Sequence, residues 1–291
     1  MFADLYDPNF IRKRLDIEFQ PRVVTVGLNV GQGKTVDFEV DVNDHIGWRI
    51  FLDGSFDETH LRIAKILQLS QDDVFLDIGA NIGSVSIAIS SATECEIIAI
   101  EANPRNSSQF LRNVALNPIR VNFWNCAVVD PITFGKHRFV EIHSNNGNQG
   151  ASSLHVNWNQ SFSKNPKRPH FTPTALLDDL ITSEQTNRVK LIKIDIEGSE
   201  IQALEGFKKL FEMNAPIVFE YRIDLKINGL NSGVEKIPRL LMGHFHLYRV
   251  DPTREGVTLR EFRSDESCEN VLAIPHSVHE DLSKKFKFIE N

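Results

Sequence analysis

Residues 74–83 read V-F-L-D-I-G-A-N-I-G, a run that begins as a buried strand and ends as a glycine turn. Val74, Phe75, Leu76 and Ile78 suit the middle of a parallel sheet, where both faces are covered and apolar residues run almost unbroken. Gly79 and Gly83 let the backbone turn sharply and come close to a ligand. A helical stretch, residues 82–91, follows at once. Strand, glycine turn and helix N-terminus together form the ligand-binding corner of a doubly wound α/β sheet, with free N–H groups pointing outward. The turn spells G-x-N-x-G, with Asn81 where a dinucleotide fingerprint carries its second glycine and with Asp77 just ahead of the first.

That departure bears on the ligand. A dinucleotide brings a dianionic pyrophosphate to this corner, which a carboxylate at its edge repels. S-adenosylmethionine has no phosphate; it presents an ammonium beside a carboxylate, so Asp77 can attract the first while helix N–H groups take the second. Asp77, Gly79, Ala80, Asn81 and Gly83 are therefore the expected cofactor-binding residues of this turn. The plainer alternative is that Asp77 only caps the turn. A second buried strand, residues 96–100, ends in Glu101, and Ala102, Asn103 and Pro104 break it. An acid there can accept hydrogen bonds from both ribose hydroxyls, which adds Glu101, Ala102 and Asn103 to the set. A third strand, 121–128, ends around Cys126 and Ala127, and that turn should flank the adenine.

A second dense stretch, V189-K-L-I-K-I-D-I-E-G-S-E, places charges in a central strand. Alternation puts Leu191, Lys193, Asp195 and Glu197 on one side and Ile192, Ile194 and Ile196 on the other. Charges in such a strand persist when they pair, reach the open strand end or bind something. Beyond Gly198, Ser199 can cap a helix with Ile201, Leu204, Phe207 and Phe211 on its apolar face. Glu220, closing I217-V-F-E, falls on a neighbouring strand toward the same crevice. A purely structural Lys193–Asp195 ion pair is the competing reading.

Several motifs together resemble one known family. D77-I-G-A-N-I-G, A99-I-E-A-N-P, T174-A-L-L-D-D-L, K193-I-D-I-E-G-S-E and I217-V-F-E-Y are similar, in order and spacing, to the FkbM family of S-adenosylmethionine-dependent methyltransferases. G54-S-F-D-E and E269-N-V-L-A-I-P extend the likeness to about residues 46–275. The resemblance implies a class I, Rossmann-like sheet and methyl transfer to a hydroxyl oxygen of a small molecule, such as a sugar, a phenol or another natural product. For such a displacement the protein needs no nucleophile, and aligning oxygen, methyl and sulfur supplies about 7–11 kcal/mol. General-base help is worth about 10²- to 10⁴-fold for a poorly acidic hydroxyl. Asp195 is the first candidate base, then Glu197 and Glu220, with Lys193 holding the acceptor oxygen or keeping Asp195 ionised. Asp195, Glu197 and Glu220 are also hard oxygen donors that can bind one Mg²⁺ or Ca²⁺ and so lower the acceptor's pKa. Two other classes remain open: a dinucleotide-dependent oxidoreductase and a noncatalytic cofactor-binding scaffold.

The chain has 291 residues, 41% of them hydrophobic, and a net charge of −7. It can bury one large core, and its charge argues against a nucleic-acid partner, which calls for cationic surface. No apolar run approaches the roughly 18 residues a membrane span needs, and M-F-A-D-L-Y-D-P lacks a signal peptide's pattern, so a cytoplasmic enzyme without a membrane partner is expected. Cys95, Cys126 and Cys268 lack metal-ligand spacing and read as reduced, buried thiols. Residues 1–45 are expected as an N-terminal β extension carrying a hairpin (strands 22–28 and 36–42), 46–275 as the core, and 276–291 as a C-terminal helix. A helix is expected over 57–69, an irregular insertion at about 131–173 with room for short strands around 138–142 and 150–156, a helix over 234–242 and strands near 246–250 and 270–274. Among the histidines, His155 is singled out as a pocket residue of the insertion, and Trp48, Trp124 and Trp158 as core or loop anchors.

Overall fold

A computed structural model of the chain describes residues 23–145, 148–154, 170–223, 233–253 and 256–289. Strands β1 (Val23–Gly31) and β2 (Lys34–Asp41) pair antiparallel as the expected hairpin. An unexpected helix, α1 (His45–Asp53), follows; Asp44 accepts from the Ile46 N–H and Gly54 closes the helix at φ 69°. This is the punctuation expected of a helix, an Asx cap ahead and a left-handed glycine behind. Next come α2 (Thr59–Ile66), β3 (Val74–Ile78), α3 (Ser84–Thr93), β4 (Glu96–Ile100), α4 (Pro104–Ala115) and β5 (Val121–Trp124). Then β6 (Ala127–Val128), α5 (Pro131–Lys136), β7 (Phe139–Asn145), β8 (Asn148–Ser153) and β9 (His170–Ala175) lead to the short α6 (Leu177–Leu180) and α7 (Ser183–Thr186). The chain continues through β10 (Val189–Ile194), α8 (Glu200–Glu205), β11 (Ile217–Tyr221), α9 (Ile237–Leu241), β12 (Phe245–Pro252), β13 (Val257–Glu261), β14 (Cys268–Pro275), α10 (His279–Ser283) and β15 (Lys287–Phe288).

The main sheet has nine strands in the order β15-β13-β12-β14-β11-β10-β3-β4-β5. β11, β10, β3, β4 and β5 run parallel, as alternating strands and helices require, and β14, β12 and β13 add an antiparallel flank. The fold is an α/β sheet, doubly wound and mostly parallel, as expected. Its core lies on both faces, as the unbroken apolar strands require. Val74, Leu76 and Ile78 of β3 pack with Ile98, Ile192 and Ile217 against α8, while Phe75 faces the hairpin, α1 and α3. Asp77 shares the side of Phe75, and Lys193 stands directly opposite it in the β10–β3 register.

Some expectations need correction. Residues 121–128 are not one strand: β5 ends the main sheet, whereas β6 begins a smaller sheet of order β6-β9-β7-β8. The described part of 131–173 holds a helix and three strands: β7 and β8 fall on the short strands expected around 138–142 and 150–156, whereas α5 and β9 were not foreseen. The C-terminal stretch holds only a short helix, followed by β15 against β13, itself a strand not foreseen. Helix α8 begins at Glu200 without a Ser199 side-chain cap, and Phe211 lies beyond it, 39% exposed. Residues 1–22, His155 and Trp158 lie outside the described residues. Trp48 is buried and stacks on Phe51, whereas Trp124 is exposed. All three cysteines are free and buried. Among the described residues no helix is long and apolar enough to cross a membrane.

Candidate active site

The strand order reverses between β3 and β10, so the loops leaving these strands diverge and open a crevice at the C-terminal sheet edge. The crevice is a cleft of about 580 Å³. On one side it is lined by Gly79, Ala80, Asn81, Glu101, Ala102 and Ala127, and on the other by Lys193, Asp195, Glu197, Glu220 and Arg222. Its wall is completed by His45, Arg49, Asp57, His60 and Arg62 from α1, α2 and the turn between them.

The two halves touch through backbone. Gly79 has φ 87°, and a Cβ there would collide with the Asp195 carbonyl oxygen, so no other residue fits. Asp195 N–H in turn donates to Ile78 O at 3.0 Å. Glu101 ends β4 with its carboxylate accepting from Asn81 N–H at 2.8 Å and Asn103 N–H at 2.7 Å. Burial pushes this carboxyl up to about 7 although both N–H groups pull the other way. A carboxylate offers about four lone-pair sites, so two bonds to backbone leave acceptor capacity toward the cleft.

Asp77, expected among the cofactor-binding residues, does not line the cleft. It is fully buried beneath the turn, with Oδ2 accepting from Ser86 Oγ at 2.6 Å and Oδ1 lying 3.3 Å from Lys193 Nζ. Lys193 Nζ also donates to Gly79 O at 2.9 Å and lies 3.5 Å from Asp195 Oδ2. Burial alone would lower this lysine's pKa, but Asp77, Asp195 and Asp57 outweigh it and hold the ammonium charged. The ion pair weighed as an alternative therefore exists, and it extends from the floor to the cleft surface. Asn103 and Gly83 also stand outside the lining. Asn103 caps α4 by accepting from Arg105 N–H and donates to Ser152 Oγ at 2.8 Å and Ser144 Oγ at 3.3 Å. Gly83, at φ 94°, is the N-cap of α3.

Beyond Ile194 the strand alternation ends. Glu197 adopts φ 53°, and its carbonyl accepts from Ser153 Oγ of β8 at 2.8 Å, so the small sheet braces this turn. Burial, then repulsion from Asp195, Glu220 and Glu200, raises the Glu197 carboxyl well above its usual range. Glu220 is raised too, by burial and then by Asp195 and Glu200, against Arg222 at 3.3 Å. Glu200, unforeseen, accepts from the Ile196 and Gly198 N–H groups, both at 3.1 Å, and burial pushes it up to about 7. Asp195, Glu197 and Glu220 do share the cleft. Among the described residues, however, no group of three His, Cys, Asp or Glu is placed to hold a metal ion, so the trio does not form the metal site considered from sequence.

Sequence reasoning missed the wall formed by Asp57, His60 and their neighbours. Its signals were Asp44 and Gly54 bracketing α1, and G54-S-F-D-E, whose Asp57 sits at φ 51°.

A doubly wound sheet carries an acid at the end of β4 and charged turns after β10 and β11. The chain belongs to the FkbM methyltransferase family, matching the Methyltransferase FkbM domain over residues 77–256. It is 25% identical over 160 residues to the hexuronic acid methyltransferase AglP of Haloferax volcanii, covering 55% of this chain and 59% of that protein. The chain thus spans about 59% of the length of that relative. Among solved structures it is similar to TYW2 of Pyrococcus horikoshii in complex with MeSAdo, with 14% identity, TM-score 0.41, and 94% and 84% of the two chains covered. A precorrin-6y C5,15-methyltransferase from Geobacter metallireducens gives 16% identity, TM-score 0.37, and coverage of 76% and 91%.

Proposed function

We propose that the protein transfers a methyl group from S-adenosylmethionine to a hydroxyl oxygen of a small molecule, with a sugar hydroxyl as the favoured acceptor. The observation that carries this reading is Glu101, a buried carboxylate at the end of β4 that lines the cleft with acceptor capacity left for a vicinal diol. A ribose presents such a diol. Ala102, Cys126 and Ala127 line the space beside it where an adenine ring would lie. Asp195, 41% exposed at the side chain, is the carboxylate placed to meet the amino group in place of Asp77. Ser84 and Val85, at the start of α3, line the cleft and offer helix N-terminal N–H groups to the carboxylate.

When bound, the cofactor supplies a sulfonium methyl open to in-line displacement. The chain's own residues bind and orient the partners, because alignment supplies most of the gain. Glu197 and Glu220, raised by burial, face the acceptor side as hydrogen-bonding groups for its hydroxyls. The name of AglP, a hexuronic acid methyltransferase, supports a carbohydrate acceptor. A net charge of −7 supports a small molecule over nucleic acid.

The test is calorimetric titration with S-adenosylhomocysteine and NAD, followed by a methyl-transfer screen of uronates, neutral sugars and phenols with and without EDTA. Binding of the first ligand alone, with EDTA-insensitive transfer to a hydroxyl, is expected. Heat from NAD alone would instead favour the oxidoreductase. Transfer only to phenols and only with metal would restore a divalent cation to the mechanism.

A further inference from the structure

We propose that His60 is the general base of the reaction and Asp57 its positioning residue, an assignment that rests on the methyltransferase reading above. The pair belongs to the wall that α2 builds across the cleft from the sheet. Asp57 Oδ2 lies 2.9 Å from His60 Nδ1, and both residues line the cleft. The His60 side chain is 3% exposed, so it is screened from bulk water while still bordering the reaction space. The contact is an ion-pair approach and not an aligned hydrogen bond, and a carboxylate beside Nδ1 draws the ring proton to that nitrogen and leaves Nε2 as the basic one.

Asp57 is built for this task at a cost. Its φ of 51° is strained for a residue with a side chain, and such strain collects where function fixes geometry. Burial would raise its carboxyl, but His60 and then Lys193 hold it down at about 2, so it stays ionised. The charged and titratable groups lining the cleft with the pair include His45 and Arg49 of α1, Glu58 of the same turn, Arg62 of α2, and Lys193 and Asp195 from the sheet, of which Lys193 acts on Asp57 directly. Arg62 is committed to Glu58 at 2.7 Å and to the Thr253 and Gly256 carbonyls, which fixes α2 against the β12–β13 connection. The sheet carboxylates suit the base role less well. Glu197 and Glu220 are driven toward their neutral, proton-bearing form, and Asp195 is engaged by Lys193.

The step balances simply. Nε2 takes the hydroxyl proton while the acceptor oxygen bonds to the methyl carbon and the methyl–sulfur bond breaks, its electron pair staying on sulfur. An ether and a neutral thioether result; the imidazolium, stabilised by Asp57, returns its proton to solvent.

The experiment compares wild type, His60→Gln and Asp57→Asn by S-adenosylhomocysteine calorimetry, imidazole NMR titration of the ligand-free proteins, and the pH profile of kcat/KM with glucuronate and phenols as acceptors. His60→Gln should bind S-adenosylhomocysteine within about twofold of wild type yet lose about 10²- to 10⁴-fold in transfer, together with the acid limb of the profile. Asp57→Asn should lower kcat/KM while sparing S-adenosylhomocysteine binding, and its imidazole NMR spectrum should show the Nδ1–H tautomer of His60 lost, because the anion that selects it is gone. Retention of transfer and acid limb in His60→Gln overturns the proposal, as does an unchanged His60 tautomer in Asp57→Asn. A wild type that binds S-adenosylhomocysteine but methylates neither acceptor also overturns it, because no hydroxyl proton is then left for His60 to take. Absence of both binding and transfer in wild type removes the methyltransferase reading, and this assignment falls with it.

Discussion

Lys193 shows how one side chain decides the value of its neighbours. Its ammonium sits 3.3 Å from Asp77 and 3.5 Å from Asp195, nearly sealed from water. The net gain of such a buried pair is small, yet removing one partner strands the other charge, at a cost of about 3–5 kcal/mol. Lys193→Met should therefore lower unfolding free energy by that amount in urea titration, and the double change Asp77→Leu with Lys193→Met should recover most of it. A double variant as unstable as the single would show that the charges themselves, and not their imbalance, hold the floor. The residue types were legible in the sequence, because three charges in a buried strand call for partners. Their partners were not. Parallel pairing sets Lys193 opposite Asp77, and nothing local in a chain encodes which strand will lie beside which.

At the scale of elements, strands β3, β4 and β10 and the hairpin could be read because their apolar periods are strong. Glu96–Ile100 was placed to the residue. What escaped were elements too short to show a period, such as β6, and those whose stability comes from side-chain ties. In the small sheet, β7 and β8 were expected as short strands, but the side-chain ties that hold them were not. Asn103 joins α4 to β7 and β8 through the Ser144 and Ser152 hydroxyls, and Ser153 joins β8 to the Glu197 turn. Asn103 was foreseen as a ligand contact on motif position, whereas its fully buried side chain is spent on a helix cap and a brace. Asn103→Ala should cost about 0.5–2 kcal/mol for the cap, with more for the two hydroxyls left behind. Chemical denaturation measures the loss; a change within experimental error would show the brace to be idle.

Across the whole molecule, acids buried around one cleft make stability depend on pH in an unusual direction. Glu101 and Glu200 are both pushed by burial up to about 7, above the ordinary glutamate value of 4.5. The folded protein thus holds protons that the unfolded chain has released, so their contribution is full below about 4.5 and is lost as pH rises through 7. The ligand-free protein should melt at a higher temperature at pH 5.5 than at pH 8, and Glu200→Gln, which keeps an acceptor oxygen, should flatten that slope. Differential scanning calorimetry across this range is the check, and a melting temperature that rises with pH would contradict it. The ion pair beneath the cleft has a temporal side as well. Asp77 and Lys193 are separated by 116 positions, so a nascent chain that has delivered the glycine turn still lacks the cation its buried acid requires. The half of the crevice built around the glycine turn therefore lacks its counter-charge until the later half of the chain arrives.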